Sequence, residues 1–163
     1  MPSVSKLELS EKLHQSWKFL SGSELTFREL KSAMRSPDHH YLSVMIPIGA
    51  SQQEPSNGIA IGLLISEEQA ARVASYMFDV DINNLTKEDI ADACKETCNV
   101  LGGALSFDDE NKLGIPKTVS QEHFTELQDT SAFTVTFASN APYEGHVVLT
   151  ILFLTTHMLL NEI

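Results

Sequence analysis

Cysteine is scarce, with only Cys94 and Cys98 in 163 residues. Two such residues do not make a disulfide scaffold, so small bridge-stapled secreted folds are excluded. Basic residues are also few, 11 lysines and arginines against 22 acidic residues, for a formal net charge of −11. A surface of that sign repels phosphate backbones and anionic lipid. This argues against nucleic acid or a membrane as the main partner and favours a partner with a basic face. Long apolar runs are missing too. The longest, Val147 to Leu154, is broken by Thr150 and falls well short of the ~18 residues a membrane span requires. Met1 to Ser10 has no apolar core of a secretory signal, so a soluble cytoplasmic protein is expected. No internal repeat or low-complexity tract is visible.

What remains is ordinary globular material. Hydrophobic residues are 42% and charged residues 20%, which excludes wholesale disorder. The length points to one domain over residues 1–163, burying about 69% of its extended surface without staples.

Leu9, Leu13, Trp17 and Leu20 fall at helical spacing over Ser10 to Leu20, with Ser10 as N-cap and Ser21-Gly22-Ser23 as the stop. Glu24 to Arg35 fits a short strand or a helix. Ser36-Pro37-Asp38 marks a turn. Tyr41 to Ile48 reads as a strand, linked through Ser51 to Gly58 to a second strand, Ile59 to Ile65. Ser66 and Gln69 form a capping box for a helix with Ala70, Val73, Ala74, Met77 and Phe78 on its apolar side. Thr86 and Asp89 repeat that signal for a second helix ending near Gly102-Gly103. After an acidic loop, Phe107 to Asn111, short strands are expected at Lys117 to Ser120 and at His123 to Leu127. Phe133, Val135 and Phe137 alternate with Thr134 and Thr136 as a half-buried strand. Pro142 to Gly145 turns the chain into His146 to Leu154, apolar enough for a central strand. The order predicts an α+β fold, helices packed on one face of a mainly antiparallel sheet.

One helix carries a further signal. From Glu88 to Leu105, at 100° per residue, Ile90, Cys94, Thr97, Cys98, Leu101 and Leu105 form a core stripe. Asp92, Glu96, Asn99 and Gly103 form a narrow stripe almost opposite. Glu96 and Asn99 project together, and Gly103 keeps the neighbouring surface low enough for another molecule to approach. A polar stripe opposite a core stripe is also what any surface helix has, and E-x-x-N alone is common.

The run Asp92-Ala93-Cys94-Lys95-Glu96-Thr97-Cys98-Asn99-Val100-Leu101-Gly102-Gly103 resembles the active helix of the CheC/CheX/FliY chemotaxis phosphatases. Their pattern is Asp or Ser, three residues, Glu, two residues, Asn, then a Gly and a more distant Pro. Asp92, Glu96, Asn99 and Gly103 match it, and Pro116 resembles the distal Pro across a shorter interval than the family's, which implies a trimmed helix end. The layout agrees over Tyr41 to Leu154. The glycine-led strand Gly58 to Ser66, the Ala-rich helix and the acidic loop Asp79 to Asp89 precede the active helix. The N-terminal helix has His14 and Trp17 where a second Glu and Asn would lie, so the resemblance implies one site per chain, as in CheX.

The resemblance implies hydrolysis of the aspartyl phosphate on a response-regulator receiver domain of CheY type in two-component signalling. The regulator would supply Mg²⁺, and this chain would bind no cofactor or metal. A phosphatase then adds position, a water held in line with phosphorus. A carboxamide suits that task, being neutral and able both to donate to and to accept from water. Asn99 is thus implied to orient the water and Glu96 to pair with the regulator's active-site lysine. The resemblance implies that Asp92 contacts the regulator or caps the local surface. No phospho-enzyme is expected. The resemblance also implies a homodimer, with the terminal strand region as interface.

Other candidates have plainer readings. Cys94 and Cys98 are small buried hydrophobes, since an i, i+4 pair in a helix does not reach the ~3.8 Å Cβ separation of a disulfide. His39, His40, His123, His146 and His157 lack metal-ligand spacing. Gly58 and Gly62 suggest a bulge or close packing, since no G-K-[ST] follows. The serines Ser3 and Ser5 need no reading beyond a polar N-terminus. The rival function is a non-catalytic receiver-binding or adaptor module of flagellar-switch type.

Overall fold

In a computed structural model of the chain, the described residues are 6–30, 41–49, 59–104, 112–131, 133–140 and 145–153. They form α1 (Lys6–Ser21), β1 (Phe27–Leu30), β2 (Tyr41–Gly49), β3 (Ile59–Ser66), α2 (Glu67–Phe78), a 3-10 turn (Ile82–Asn84), α3 (Lys87–Ala104), β4 (Lys112–Leu113), β5 (Lys117–Val119), α4 (Gln121–Thr130), β6 (Phe133–Ser139) and β7 (Val147–Phe153). The Ser36-Pro37-Asp38 turn, the linker Ser51 to Gly58, the loop Phe107 to Asn111, Pro142 and Leu105 lie outside the described residues. So do Ser3, Ser5, His39, His40, Leu154 and His157.

The strands share one sheet in the order β1-β6-β7-β3-β2-β4, with β5 also on β2, and every pairing is antiparallel. The β2–β3 hairpin holds register from Tyr41↔Ser66 to Ile48↔Ile59. The apolar β7 is central, between β3 and β6. A strand buried on both faces has no need to alternate, and Val147, Val148, Leu149, Ile151 and Leu152 are all buried. The segment after Glu24 resolves into β1 at the sheet edge, its Phe27 buried beside Leu25.

The α+β architecture matches the expectation. The three helices α1, α2 and α3 pack against one another, and α2 and α3 also lie against β2 and β3. Leu13, Trp17, Val73, Cys98 and Leu101 meet Val44, Ile46, Ile61, Leu63 and Leu149 in one core. Alternate residues of the same strands, Met45, Ala60 and Leu152, form a second cluster with Phe124 and Leu127 of α4. The short α4 thus adds cover to the reverse face of the sheet.

Three local expectations are corrected. Residues His123 to Leu127 are not a strand but part of α4. Ser120 Oγ accepts from His123 N at 3.0 Å, and Phe124 and Leu127, three apart, share the buried face. Ser10 is not an N-cap, because the described α1 already includes Lys6 to Leu9, and Leu9 belongs to the core. Phe78 is not on the apolar side. It is 41% exposed at the last residue of α2, where Asp79 turns left-handed at φ 53° and ends the helix.

Gly22 and Gly62 answer local needs. Gly22 adopts φ 68° and its N–H donates to Lys18 O at 2.9 Å, ending α1 at the expected stop. Gly62 lies under the Phe124 ring, where an added Cβ would come within 2.6 Å of Cε2. Close packing is therefore the reason for that glycine.

Candidate functional site

The site helix α3 starts on a reciprocal cap. Asp89 N donates to Thr86 Oγ1 and Thr86 N to Asp89 Oδ2, both at 3.0 Å. Two of the otherwise orphan N–H groups of the first turn are thus satisfied. The preceding 3-10 turn is itself capped, Asn83 N donating to Asp81 Oδ1 at 2.9 Å. The other expected cap is present on α2, where Gln69 N donates to Ser66 Oγ at 3.2 Å. There the Gln69 side-chain amide also donates to Gly145 O at 3.5 Å, tying α2 to the turn before β7.

The rotation of α3 is set by its buried side. Ala93, Cys94, Thr97, Cys98, Leu101 and Gly102 are buried, and Ile90 is partly so. Thr97 Oγ1 satisfies itself on Ala93 O at 2.7 Å, so the hydroxyl costs the core little. Cys98 Sγ reaches the carbonyl oxygens of Val44 and Ile61, each at 3.9 Å. Both cysteines are free thiols. Burial pushes the Cys94 thiol up to about 12. Burial raises that of Cys98 as well, with Cys94 beside it adding to the effect and a backbone hydrogen bond with Leu63 opposing it. They are therefore protonated and apolar in character, with little thiolate for redox chemistry.

With that side fixed, the opposite stripe faces out. Asp92, Glu96 and Gly103 are exposed, and Asn99 is half-buried. The structure brings these four together on one face of one helix. Partial burial limits the rotamers of Asn99, while Glu96 one turn away stays free to meet a cation. Pro116 is half-buried between β4 and β5, strands that pair with β2 and lie beside α3. The described part of α3 runs to Ala104.

The positions in α1 that parallel this motif are differently used. Trp17 is fully buried, its indole N–H donating to Ser23 Oγ at 3.3 Å, and His14 Nδ1 lies 2.6 Å from Leu25 O. Among the described residues, no group of three His, Cys, Asp or Glu could hold a metal ion. His146 Nδ1 lies 2.9 Å from Ser139 O. No helix among the described residues is long and apolar enough to cross a membrane.

Two exposed apolar residues in the chain before the site helix were not among the expected ones. Phe78 and Ile82 (41% and 46% exposed) stand just before α3. Periodicity assigned Phe78 to the core; only the Asp79-Val80-Asp81 break after it signals that the helix stops before Phe78 is covered.

The fold can be matched with solved structures. No family model matches the chain, and no curated protein matches it in sequence. The CheX of the CheX–CheY–BeF3–Mg²⁺ complex from Borrelia burgdorferi superposes with TM-score 0.63 at 13% identity, covering 94% of this chain and 100% of that one. The chemotaxis protein CheX from Vibrio vulnificus gives 0.56 at 13% identity, covering 89% and 95%. A CheC-like superfamily protein from Shewanella gives 0.56 at 15%, covering 90% and 94%. At such identities the likeness is one of architecture, and it spans nearly the whole of both chains: this protein has the fold of the CheX and CheC-like chemotaxis proteins.

Proposed function

We propose that this chain belongs with the CheC/CheX phosphatases and hydrolyses the aspartyl phosphate of a CheY-type receiver domain in the cytoplasm. The observation that carries the reading is the placement of Glu96 and Asn99. The two residues that match the family's motif share the outward face of a capped helix whose other side is locked in the core. The resemblance of the fold to a CheX found in complex with CheY, BeF3 and Mg²⁺ supports the same partner class.

An acyl phosphate on a Mg²⁺-bound receiver is already activated, and its metal balances much of the developing charge. The missing component is an oriented water. The Asn99 carboxamide oxygen would accept from that water while its NH₂ group donates toward it or toward a phosphoryl oxygen. A neutral side chain makes this approach without repelling the phosphate. Glu96 would bind the receiver's active-site lysine and fix the register. Asp92 supports the contact, and Gly103 leaves room for the receiver backbone. Water attacks phosphorus, the P–O bond to the receiver aspartate breaks, and inorganic phosphate and the carboxylate are released. No bond to this chain forms. The chain is further proposed to act as a homodimer that holds no metal of its own.

The test is multiple turnover. A phosphorylated CheY-type receiver with Mg²⁺ is mixed with a tenfold smaller amount of the chain, and released phosphate is followed. Release of several equivalents per chain, faster than the receiver alone, supports the reading. Binding without acceleration would overturn it in favour of an adaptor module.

A further inference from the structure

The proposed site has a charge imbalance. Asp92 and Glu96 are exposed carboxylates, and the first turn of α3 adds Glu88 and Asp89. This surface must still approach a phosphoryl group, and like charges repel more strongly as water leaves. A compensating charge on this chain has to sit beside Asn99. The described part of α3 carries two cations, Lys87 and Lys95. At 1.5 Å per residue, Lys87 is about 18 Å along the helix from Asn99, and Lys95 is about 6 Å.

Helix geometry places Lys95 on the same surface as the stripe. At 100° per residue it lies about 40° to one side of Asn99, with Glu96 about 60° to the other. The carboxamide thus stands between a cation and an anion. Helical side chains lean toward the N-terminus, so Asn99 lies over the turn that Lys95 and Glu96 occupy. Residues four apart are neighbours on a helix, and the flexible four-carbon stem of lysine spans the gap. Ala91 one turn before Lys95 and Gly102 two turns after it are small, so α3 itself puts no bulky side chain beside it. Lys95 also differs from the other lysines. Lys12, Lys18, Lys87 and Lys117 are exposed, and Lys95 is half-buried. Lys18 is paired, its Nζ 3.1 Å from Glu24 Oε1. Among the described residues Lys95 has no carboxylate partner, although Asp92 stands three residues before it. Partial burial costs an ammonium some of its hydration, and a counter-ion restores the balance. An arriving phosphoryl group supplies one.

We infer that Lys95 is a third catalytic residue, its ammonium donating a hydrogen bond to a non-bridging phosphoryl oxygen while Asn99 holds the water and Glu96 the receiver's lysine. This rests on the function proposed above and adds a residue at a position the family's pattern leaves open. The charges of the site are then crossed with those of the receiver, anion to lysine and cation to phosphoryl, which selects one docking orientation. In the transition state negative charge is spread over three equatorial oxygens, and a donor already positioned there lowers the barrier. Water adds to phosphorus and the aspartyl oxygen leaves with the bonding pair. The protons of the water go to the released phosphate and to solvent, and Lys95 keeps its own throughout.

The experiment compares wild type with Lys95→Met, which keeps a straight stem and good helix propensity but removes the charge, and with Lys95→Arg, which keeps the charge. Phosphate release is followed from a phosphorylated CheY-type receiver with Mg²⁺. Calorimetry measures binding to the same receiver with Mg²⁺, with and without BeF3⁻, and thermal unfolding of each variant is the control for folding. Lys95→Met is expected to slow release at saturating receiver about tenfold or more. It should also lose about tenfold of the preference for the BeF3⁻ form, and Lys95→Arg should regain most of both. A folded Lys95→Met that releases phosphate at the wild-type rate, with wild type accelerating, would overturn the assignment and leave the function standing. Equal weakening toward both forms of the receiver, with the saturated rate unchanged, would do the same and make Lys95 a docking cation. No acceleration by wild type would overturn both.

Discussion

Cys98 Sγ lies 3.9 Å from the carbonyl oxygen of Val44, on the far side of α3 from solvent. The next residue, Asn99, is half-buried and belongs to the outward stripe. That contact belongs to the buried side, Ala93, Cys94, Thr97, Cys98, Leu101 and Gly102, which sets the rotation of the helix and with it the direction in which the carboxamide points. The core on one side of α3 therefore does the aiming for the chemistry on the other.

Glu96→Ala should weaken receiver binding and slow phosphate release together, because Glu96 is assigned a pairing role with a lysine of the partner. Calorimetry with a BeF3⁻-activated receiver, alongside the rate, checks it. Glu96→Gln should recover little, since an amide lacks the charge that holds the lysine. Full binding by Glu96→Ala would remove that assignment.

Gly62→Ala should destabilise the fold without touching the site. The added methyl would press within 2.6 Å of the Phe124 ring, and the buried ring, packed between α4 and the sheet, must move to admit it. Overpacking of this kind costs about 1–3 kcal/mol. Urea or thermal unfolding is the readout, and an unchanged midpoint would contradict the packing described.

Thr86→Ala should cost about 1 kcal/mol, seen as a fall of about 2–4 °C in the melting midpoint. It leaves Asp89 without half of its reciprocal pair at the start of α3.

Cys94 and Cys98 should resist alkylation in the folded protein at pH 8 and react once it is unfolded. Burial holds the Cys94 thiol up to about 12 and raises that of Cys98 too, so few thiolates form in the native state. The linkage has a definite sign. An unfolded thiol loses its proton near its ordinary value of 9, while the folded thiols keep theirs. Their contribution is fully present below pH 9 and is lost as pH rises from there toward 12. Serine at both positions should flatten that part of the stability curve.

Much of this was legible in the residues. The β2–β3 hairpin and the two faces of α3 follow from periodicities of 2 and 3.6, and the central β7 from a nearly all-apolar run that does not alternate. Capping pairs marked the starts of α2 and α3 because their chemistry is local. The misses are equally physical. Helix α4 has only Phe124 and Leu127 to bury among polar neighbours, too few for a period to declare itself, although Ser120 before it was a usable cap signal. Ser10 has cap chemistry, but Leu9 beside it is drawn into the core and carries the helix back to Lys6. Phe78 follows the periodicity of α2 and still ends half outside, because exposure there depends on where the chain breaks at Asp79. The polar stripe of α3 was visible as a face, but periodicity alone says nothing of what that face meets.

The most direct measurement is phosphate loss from a Mg²⁺-bound, phosphorylated CheY-type receiver with wild type and Asn99→Ala side by side. The account predicts acceleration by wild type and a loss of about a hundredfold or more in Asn99→Ala, with binding to the BeF3⁻-activated receiver retained. Asn99→Ala that matches wild type in rate would contradict the water-orienting role on which the account rests.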